Sequence, residues 1–372
     1  MASNHFDIVV VGAGALGTSC AYELAKHNHK VALFDQFSAP HHFGSSYGET
    51  RLFRQAYFED ERYIPFLKES YELWKIWETE FAVDLFHETG YLTFFDQESD
   101  IALKMTQNAK KWSISGAHYN NKQLKQKFPM FTINSSLRGY CEEHAGFLNV
   151  NLFLKSCLKQ LISKGGKVFF NEKVCSWKKE QQGYQITTEK GNYSCDKIIF
   201  TVGAWLRNLT SLCEMKLTIR RGVQFWVDVP PLLPKKMPCF AFATNKDYVF
   251  GFPSFSKKGI KIASYHPSNT VDDLDKARES YTKEEWNAVR DLASQFFPWL
   301  PLTPDNFHVC IYTLTSDEDF ILDYSKNDRN IILLGGGSGH AFKFSPFLAK
   351  QVSDFFICGK DIPQNLQFFT LR

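Results

Sequence analysis

The 372-residue chain lacks the marks of several large protein classes. No Cys-x-x-Cys pair occurs. The nine cysteines (Cys20, Cys141, Cys157, Cys175, Cys195, Cys213, Cys239, Cys310 and Cys358) are odd in number and widely spaced. That excludes a disulfide framework or a cysteine-built zinc site, and it points to a reducing compartment. No apolar run approaches the roughly 18 residues that would span a bilayer, so no membrane association is expected. His-Glu-x-x-His is missing and the eleven histidines are scattered, so no metal is expected. Charge of one sign is not in excess: 43 Lys and Arg against 40 Asp and Glu leave +3, which gives no reason to expect a nucleic-acid partner. Repeats and low-complexity tracts are absent. Asp7 precedes the first apolar run, without the layout of a secretory signal, and Phe369-Thr370-Leu371-Arg372 carries no known address. A cytoplasmic protein is expected.

Aromatic residues are plentiful: 35 Phe, 15 Tyr and 8 Trp make up 16% of the chain. They imply aromatic cores, or an aromatic-walled pocket for a flat ligand. With 44% hydrophobic and 22% charged residues, the composition is that of a globular chain. The length suggests about two or three domains.

The clearest motif is at the start. Phe6-Asp7-Ile8-Val9-Val10-Val11 is a β-branched, non-alternating run, as in a strand covered on both faces. It enters Gly12-Ala13-Gly14-Ala15-Leu16-Gly17, then a helical stretch to about His27, then a second strand from Lys30 to Phe34 that ends at Asp35. Strand, Gly-x-Gly-x-x-Gly, helix, strand and acid form a dinucleotide-binding unit. Gly12 permits the tight turn, Gly14 the approach of a pyrophosphate, and Gly17 close packing of helix on strand. The helix N-terminus presents N–H groups to the phosphates. Asp35 suits a ribose 2′-hydroxyl and disfavours a 2′-phosphate, so FAD or NAD is preferred over NADP.

Residues 36–60 read as a Gly-, Ser- and His-rich loop. Gly44-Ser45-Ser46-Tyr47-Gly48 matches a serine-hydrolase elbow in letters, but no strand precedes it, so that chemistry is rejected. Arg51 and Arg54 would share a face if helical. Helices are expected over 61–80, within 98–128, over 147–162, within 272–300 and from Ser345. Strands are expected at about 90–95, 167–170, 184–188, 196–202, 224–227, 248–250, 260–263 and 331–334. The strand ending at Leu334 runs into Gly335-Gly336-Gly337-Ser338-Gly339-His340, a second glycine loop where backbone N–H groups could meet an anionic group.

Five ordered motifs carry a resemblance. They are Gly12 to Gly17, Thr50-Arg51-Leu52-Phe53-Arg54-Gln55-Ala56-Tyr57, Gly251-Phe252-Pro253-Ser254-Phe255, Cys310-Ile311-Tyr312-Thr313, and Gly339-His340-Ala341-Phe342-Lys343-Phe344-Ser345. Across nearly the whole chain they resemble the monomeric sarcosine oxidase family, which includes N-methyltryptophan oxidase. The resemblance implies an α/β fold: an FAD-binding Rossmann-like domain (1–84, 146–216 and 306–372) interleaved with a mixed-sheet α+β substrate domain (85–145 and 217–305). It implies an oxidase of secondary amino acids such as sarcosine or N-methyltryptophan, reducing O2 to H2O2, with the imine product hydrolysed. A dehydrogenase using another acceptor, or an oxidase of pipecolate or fructosyl amino acids, is the alternative. A monomer is implied.

Residue by residue, Cys310 resembles the covalent flavin tether and Arg51 the cation beside one flavin face. Arg54 and Lys343 resemble the pair that grips the substrate carboxylate, and Lys261 the lysine that promotes reaction with oxygen. Gly339, His340 and Lys343 lie in the segment facing the flavin pyrimidine. Tyr312 and Thr313 resemble pocket and flavin contacts, and Thr50 and Val174 join the cofactor-binding set. The chemistry agrees: hydride removal beside a neutral amine needs an electron sink, and an arginine fork with a lysine point charge suits a carboxylate. The chain departs from the family at Tyr47, where relatives have His, at Phe250, where sarcosine-type pockets have Tyr, and at Ala341, a frequent Gly. His266 follows Lys261 by five positions instead of four. On a regular strand this turns it to the other face, unless a bulge restores it.

Overall fold

The computed structural model describes residues 5–96, 99–209, 211–212, 215–230, 237–245, 247–266, 270–358 and 360–371. In chain order the elements are β1 (His5–Val11), α1 (Ala15–Lys26), β2 (Val31–Asp35), β3 (Thr50–Phe53), α2 (Ile64–Phe81), β4 (Phe86–His87), β5 (Tyr91–Phe95), α3 (Asp100–Lys111), β6 (Gly116–Tyr119), α4 (Asn121–Lys127), β7 (Arg138–Glu142) and β8 (Gly146–Asn149). They continue with α5 (Val150–Ser163), β9 (Lys167–Phe170), β10 (Val174–Lys179), β11 (Tyr184–Thr188), β12 (Asn192–Phe200), β13 (Thr218–Val227), β14 (Cys239–Ala243), β15 (Tyr248–Phe252), β16 (Ile260–Ser264), α6 (Lys283–Ala293), β17 (Asn306–Leu314), β18 (Ile321–Ser325), β19 (Asp328–Gly335) and α7 (Ser345–Cys358).

The first sheet runs β10-β11-β12-β1-β2-β9, with β19 parallel to β12 and β18 antiparallel to β19. Its centre, β1 between β2 and β12, is parallel. Both faces of β1 are covered, which explains its unbroken hydrophobicity. Ile8 and Val10 enter the core formed with α1, α2, α5 and α7, where Trp74, Trp77 and Phe153 pack. Phe6 and Val9 enter the opposite core with Phe34, Tyr184 and Ile198.

The second sheet runs β17-β13-β16-β15-β14-β5-β7-β6, antiparallel except for the parallel pair β14 and β5. Its strands alternate. Phe240 and Phe242 face the helical layer containing Trp286, Phe296 and Phe297, whereas Cys239, Ala241 and Ala243 face the other way. A small sheet, β3-β8-β4, lies apart from both.

Several expectations shift. Thr50–Phe53 within the expected loop is a strand, because its backbone pairs with β8. Arg51 and Arg54 therefore do not share a helical face. Residues 147–149 belong to β8, and the helix begins at Val150, capped by the Asn149 side chain. Within 98–128, β6 separates two helices, and within 272–300 only α6 and a short 3-10 turn at Lys276–Arg278 are helical. Residues 306–314, grouped by sequence with the first domain, form β17 in the second sheet. No helix among the described residues is long and apolar enough to cross a membrane.

Candidate active site

One cavity of about 460 Å³ runs from the β1–α1 turn to the inner face of the second sheet. At its first end Gly12 adopts φ +105°, and a Cβ there would lie 2.6 Å from the Thr201 carbonyl oxygen. Gly17 sits behind the wall, where a Cβ would fall 1.8 Å from the Gly12 oxygen, so it sets how closely α1 approaches the turn. Gly14 is the N-cap of α1 and supplies no side-chain cap, leaving that end to a ligand or to neighbours. Ser46 takes one position by accepting from the Ala15 N–H at 2.9 Å. Asp35 is buried at the end of β2, where it accepts from the N–H groups of Ala13 at 2.6 Å and Phe37 at 2.8 Å. Val174, Cys175 and Trp177 line this end. Cys175 is exposed. Cys213 lies outside the described residues, as does the side chain of Cys358.

In the middle, β17 presents Cys310 and Tyr312 to the cavity at the two-residue period of a strand, with His308 on the same strand face but outside the wall, while Val309 and Ile311 enter the second sheet's core. Arg51 donates from Nη1 to the Thr50 carbonyl at 3.0 Å, and from Nη2 to the carbonyls of Ser45, at 2.8 Å, and Tyr47. The same Nη2 lies 3.4 Å from Cys310 Sγ. Tyr47 keeps its ring out of the cavity wall, edge-on to His308 at 4.4 Å. Burial, then the Arg51 charge, pushes the His308 imidazole down to about 3, so this histidine is neutral. Gly339 sits at φ +82° against the Tyr312 ring.

Lys261, 3% exposed, is not in the wall. Its Nζ donates to the carbonyls of Gly48 (2.9 Å) and Thr50 (2.7 Å), so it stands directly behind the Thr50–Arg51 segment. Burial, reinforced by Arg51, holds its ammonium well below the ordinary lysine range.

At the far end, Arg54 and Lys343 meet. The Arg54 guanidinium, 3% exposed, lies 4.7 Å from the Tyr57 ring centre and 4.4 Å from that of Phe58. The Lys343 ammonium lies 5.0 Å from the same Tyr57 ring. Tyr57 is pinned by its hydroxyl, 2.7 Å from His340 Nδ1, while His340 Nε2 lies 3.3 Å from the Glu318 carbonyl. A carbonyl only accepts, so Nε2 carries the proton and Nδ1 accepts from Tyr57. Lys343 Nζ donates to the His340 carbonyl at 2.9 Å.

Glu59, which the sequence did not single out, pairs with Arg54 at 2.5 Å and lines the cavity. Burial opposes its charge, but the adjacent Arg54 prevails and holds the carboxyl below its usual value. Burial, then Arg54, pushes Lys343 down to about 7. Tyr248, Phe250, Phe252 and Tyr265 form the aromatic wall opposite.

His266 is a correction. It is exposed and outside the wall, whereas Tyr265 is in it. The β15–β16 register runs without a shift, and the Tyr265 N–H continues it by donating to the Tyr248 carbonyl at 2.8 Å. With no bulge, the residue four after Lys261 shares its face and the fifth does not. Glu59 had a signal in sequence, an acid five residues beyond Arg54. Tyr265 had one too, in the period of its strand.

Two wall atoms, Gln224 Oε1 and Thr313 Oγ1, are buried without a hydrogen-bond partner among the described residues. Unspent polar atoms in the wall of a cavity that opens onto a phosphate-binding turn fit a flavin dinucleotide. No cluster among the described residues could hold a metal ion.

Comparison with known proteins agrees. Residues 7–355 match the family model described as FAD dependent oxidoreductase. The chain is 30% identical over 367 residues to monomeric sarcosine oxidase of Bacillus sp. (strain B-0618), covering 96% of this chain and 94% of the relative. It is 26% identical over 371 residues to N-methyl-L-tryptophan oxidase of Yersinia pestis (strain Pestoides F), covering 98% of each. Among solved structures it is similar in fold to a Tyr258Phe mutant of NikD, an unusual amino acid oxidase, with TM-score 0.86, 19% identity and coverage of 99% and 97%. L-proline dehydrogenase from P. horikoshii gives TM-score 0.85, 18% identity and coverage of 99% and 98%. The nucleotide turn, the cavity and these matches together place the chain in the FAD dependent oxidoreductase family.

Proposed function

We propose that the protein oxidises the C–N bond of amino acids with a secondary amine, passing electrons to O2 to give H2O2 and an imine that water hydrolyses. The observation that carries this is the pairing of Arg54 and Lys343 over one tyrosine ring, with Glu59 the one carboxylate ion-paired to either of them among the described residues. A buried excess of positive charge calls for an anion, and a substrate carboxylate supplies it. The relatives named as oxidases of sarcosine and N-methyltryptophan support the reading.

Bound FAD supplies the electron acceptor for hydride removal from carbon beside the nitrogen. Arg54 and Lys343 hold the carboxylate and so fix the rest of the substrate. Tyr248, Phe250, Phe252 and Tyr265 exclude water and favour an apolar group larger than that of sarcosine. Arg51 offers a fixed cation at the middle of the cavity, and Gly12, Gly14 and Asp35 hold the nucleotide end. Seven free cysteines among the described residues support a reducing, cytoplasmic setting. A monomer is part of the same reading. The deciding experiment is a panel of sarcosine, N-methyltryptophan, pipecolate and their decarboxylated amines, read by peroxide release. Turnover with dye but not with O2 would make the protein a dehydrogenase.

Cys310, buried beside Arg51, is the proposed covalent tether. The denatured protein is expected to carry the mass of one FAD on the Cys310 peptide, and Cys310→Ala to release all its flavin on acid precipitation. Full release from loaded wild-type enzyme refutes the tether.

Lys261 is proposed to serve the oxygen reaction. Lys261→Met should keep anaerobic reduction by substrate and slow reoxidation on the order of tenfold, the loss of one positive centre near developing negative charge. Stopped-flow traces showing slow reduction with normal reoxidation contradict the assignment.

A further inference from the structure

We propose that Glu142, remote in sequence from every residue of the anion grip, is the positioning residue that aims Arg54. It ends β7, is 1% exposed, and is not part of the cavity wall. Its Oε1 accepts from the Gln55 N–H at 2.6 Å, and its Oε2 accepts from the Ala56 N–H at 3.0 Å. Both carboxylate oxygens are thus spent on two successive amides directly after Arg54. The Ala56 peptide is held from its other side as well, because the Ala56 carbonyl accepts from Arg54 Nη1 at 3.1 Å. The chain of contact runs from Glu142 to the Ala56 amide, through that residue to its carbonyl, and on to the guanidinium.

Among the described residues Glu142 forms no ion pair, an uncommon state for a buried carboxylate. Arg54 is close enough to act on it electrostatically without touching it, and so is His144. A neutral side chain could fill this space, but only a carboxylate offers two acceptors to two adjacent donors. The pattern is that of an anion nest turned inward, used to fix backbone. Tyr57, next in the chain, carries the ring against which the Arg54 guanidinium lies.

This inference rests on the carboxylate grip proposed above, and the experiment separates the two. Holoenzyme is titrated with propionate, which lacks an amine, and binding is followed by the flavin absorbance change. Kinetics are measured for an amino acid substrate and for its decarboxylated amine. Glu142→Gln keeps the shape but turns an N–H₂ toward one of the amides. It is expected to weaken propionate binding and raise KM for the amino acid by about tenfold, the usual consequence of a buried donor left unpaired. Its kcat and its kcat/KM for the decarboxylated amine should stay near wild type. Glu142→Asp, which retains the charge, should recover part of the loss and serves if the glutamine variant does not fold. In Arg54→Ala, the Glu142 substitution should have no further effect on propionate.

Equal losses for both substrates, an unchanged propionate affinity, or losses that multiply with Arg54→Ala would each overturn the positioning role. Wild-type enzyme that ignores the carboxylate altogether would instead remove the grip itself, and Glu142's role with it.

Discussion

Arg54→Ala is expected to cost about 2–5 kcal/mol of affinity for a carboxylate substrate, the range for removing one partner of a buried charge pair. The structure makes the loss larger than that of one cation. With the guanidinium gone, Glu59 loses its 2.5 Å partner and is left in the cavity wall with Lys343 as its nearest balancing charge. The site then presents an anion where the substrate's anion must sit. Adding Glu59→Gln to Arg54→Ala should therefore restore part of the affinity, an outcome that a simple count of lost contacts does not give. The measurements are kcat/KM for an amino acid and for its decarboxylated amine in wild type and both variants. Equal values with and without the carboxylate in wild type, or no rescue by the second substitution, would count against this arrangement.

The second large effect concerns pH. Lys343 is pushed down to about 7 by burial and by Arg54, with Glu59 working the other way. A carboxylate bound beside it favours the ammonium and raises that value in the complex. Below pH 7 both free and bound enzyme hold the proton, and affinity does not vary through this group. Above pH 7 the free enzyme has lost it and binding must take one up. The dissociation constant of propionate, ionised throughout, should then rise about tenfold per pH unit, up to the value for the complex. Titrations between pH 6 and 9 test this. Lys343→Met should abolish the slope due to this residue. Glu142, whose carboxyl burial raises to about 7 against its two backbone donors, acts with the opposite sign: its protonation below pH 7 disrupts the hold on the two amides, so a dissociation constant that falls as pH rises in Lys343→Met belongs to it. An unchanged slope in Lys343→Met, with no further loss in Glu142→Gln, would refute both assignments.

The two ends of the site were not equally legible in sequence. The nucleotide end is local: turn, helix and both strands lie between His5 and Asp35, and Gly17 answers a steric demand from Gly12 within that span. The covered faces of β1 and β12 and the strand at β11 could be read for the same reason, since burial imposes periodicity on neighbouring residues. The amine end is not local. Glu142 could not be found because its partners are backbone amides 86 and 87 positions away, and backbone leaves no mark on composition. Arg51 and Arg54 invited a helical reading by their spacing, and strand pairing with β8 overrode it. His266 attracted notice by residue type, although strand period favoured Tyr265. The motifs at Cys310 and Lys343 were visible, but only folding shows that Lys343 shares a tyrosine ring with Arg54.

The order in which β1, β2, β12 and β19 enter the first sheet has a consequence for synthesis. The strands flanking the Gly12 turn are all translated once Phe200 has left the ribosome, because β12 closes one side of β1 and β2 the other. Cys310 and Lys343 arrive later, on segments that follow. At about 5–20 residues per second that interval lasts roughly 7–30 seconds. A nascent chain can thus present a formed nucleotide cradle before it owns either Cys310, the proposed tether, or the second cation. The polypeptide acquires the ability to capture its cofactor well before it can choose among amines, and any premature loading takes place on an enzyme that is still indiscriminate.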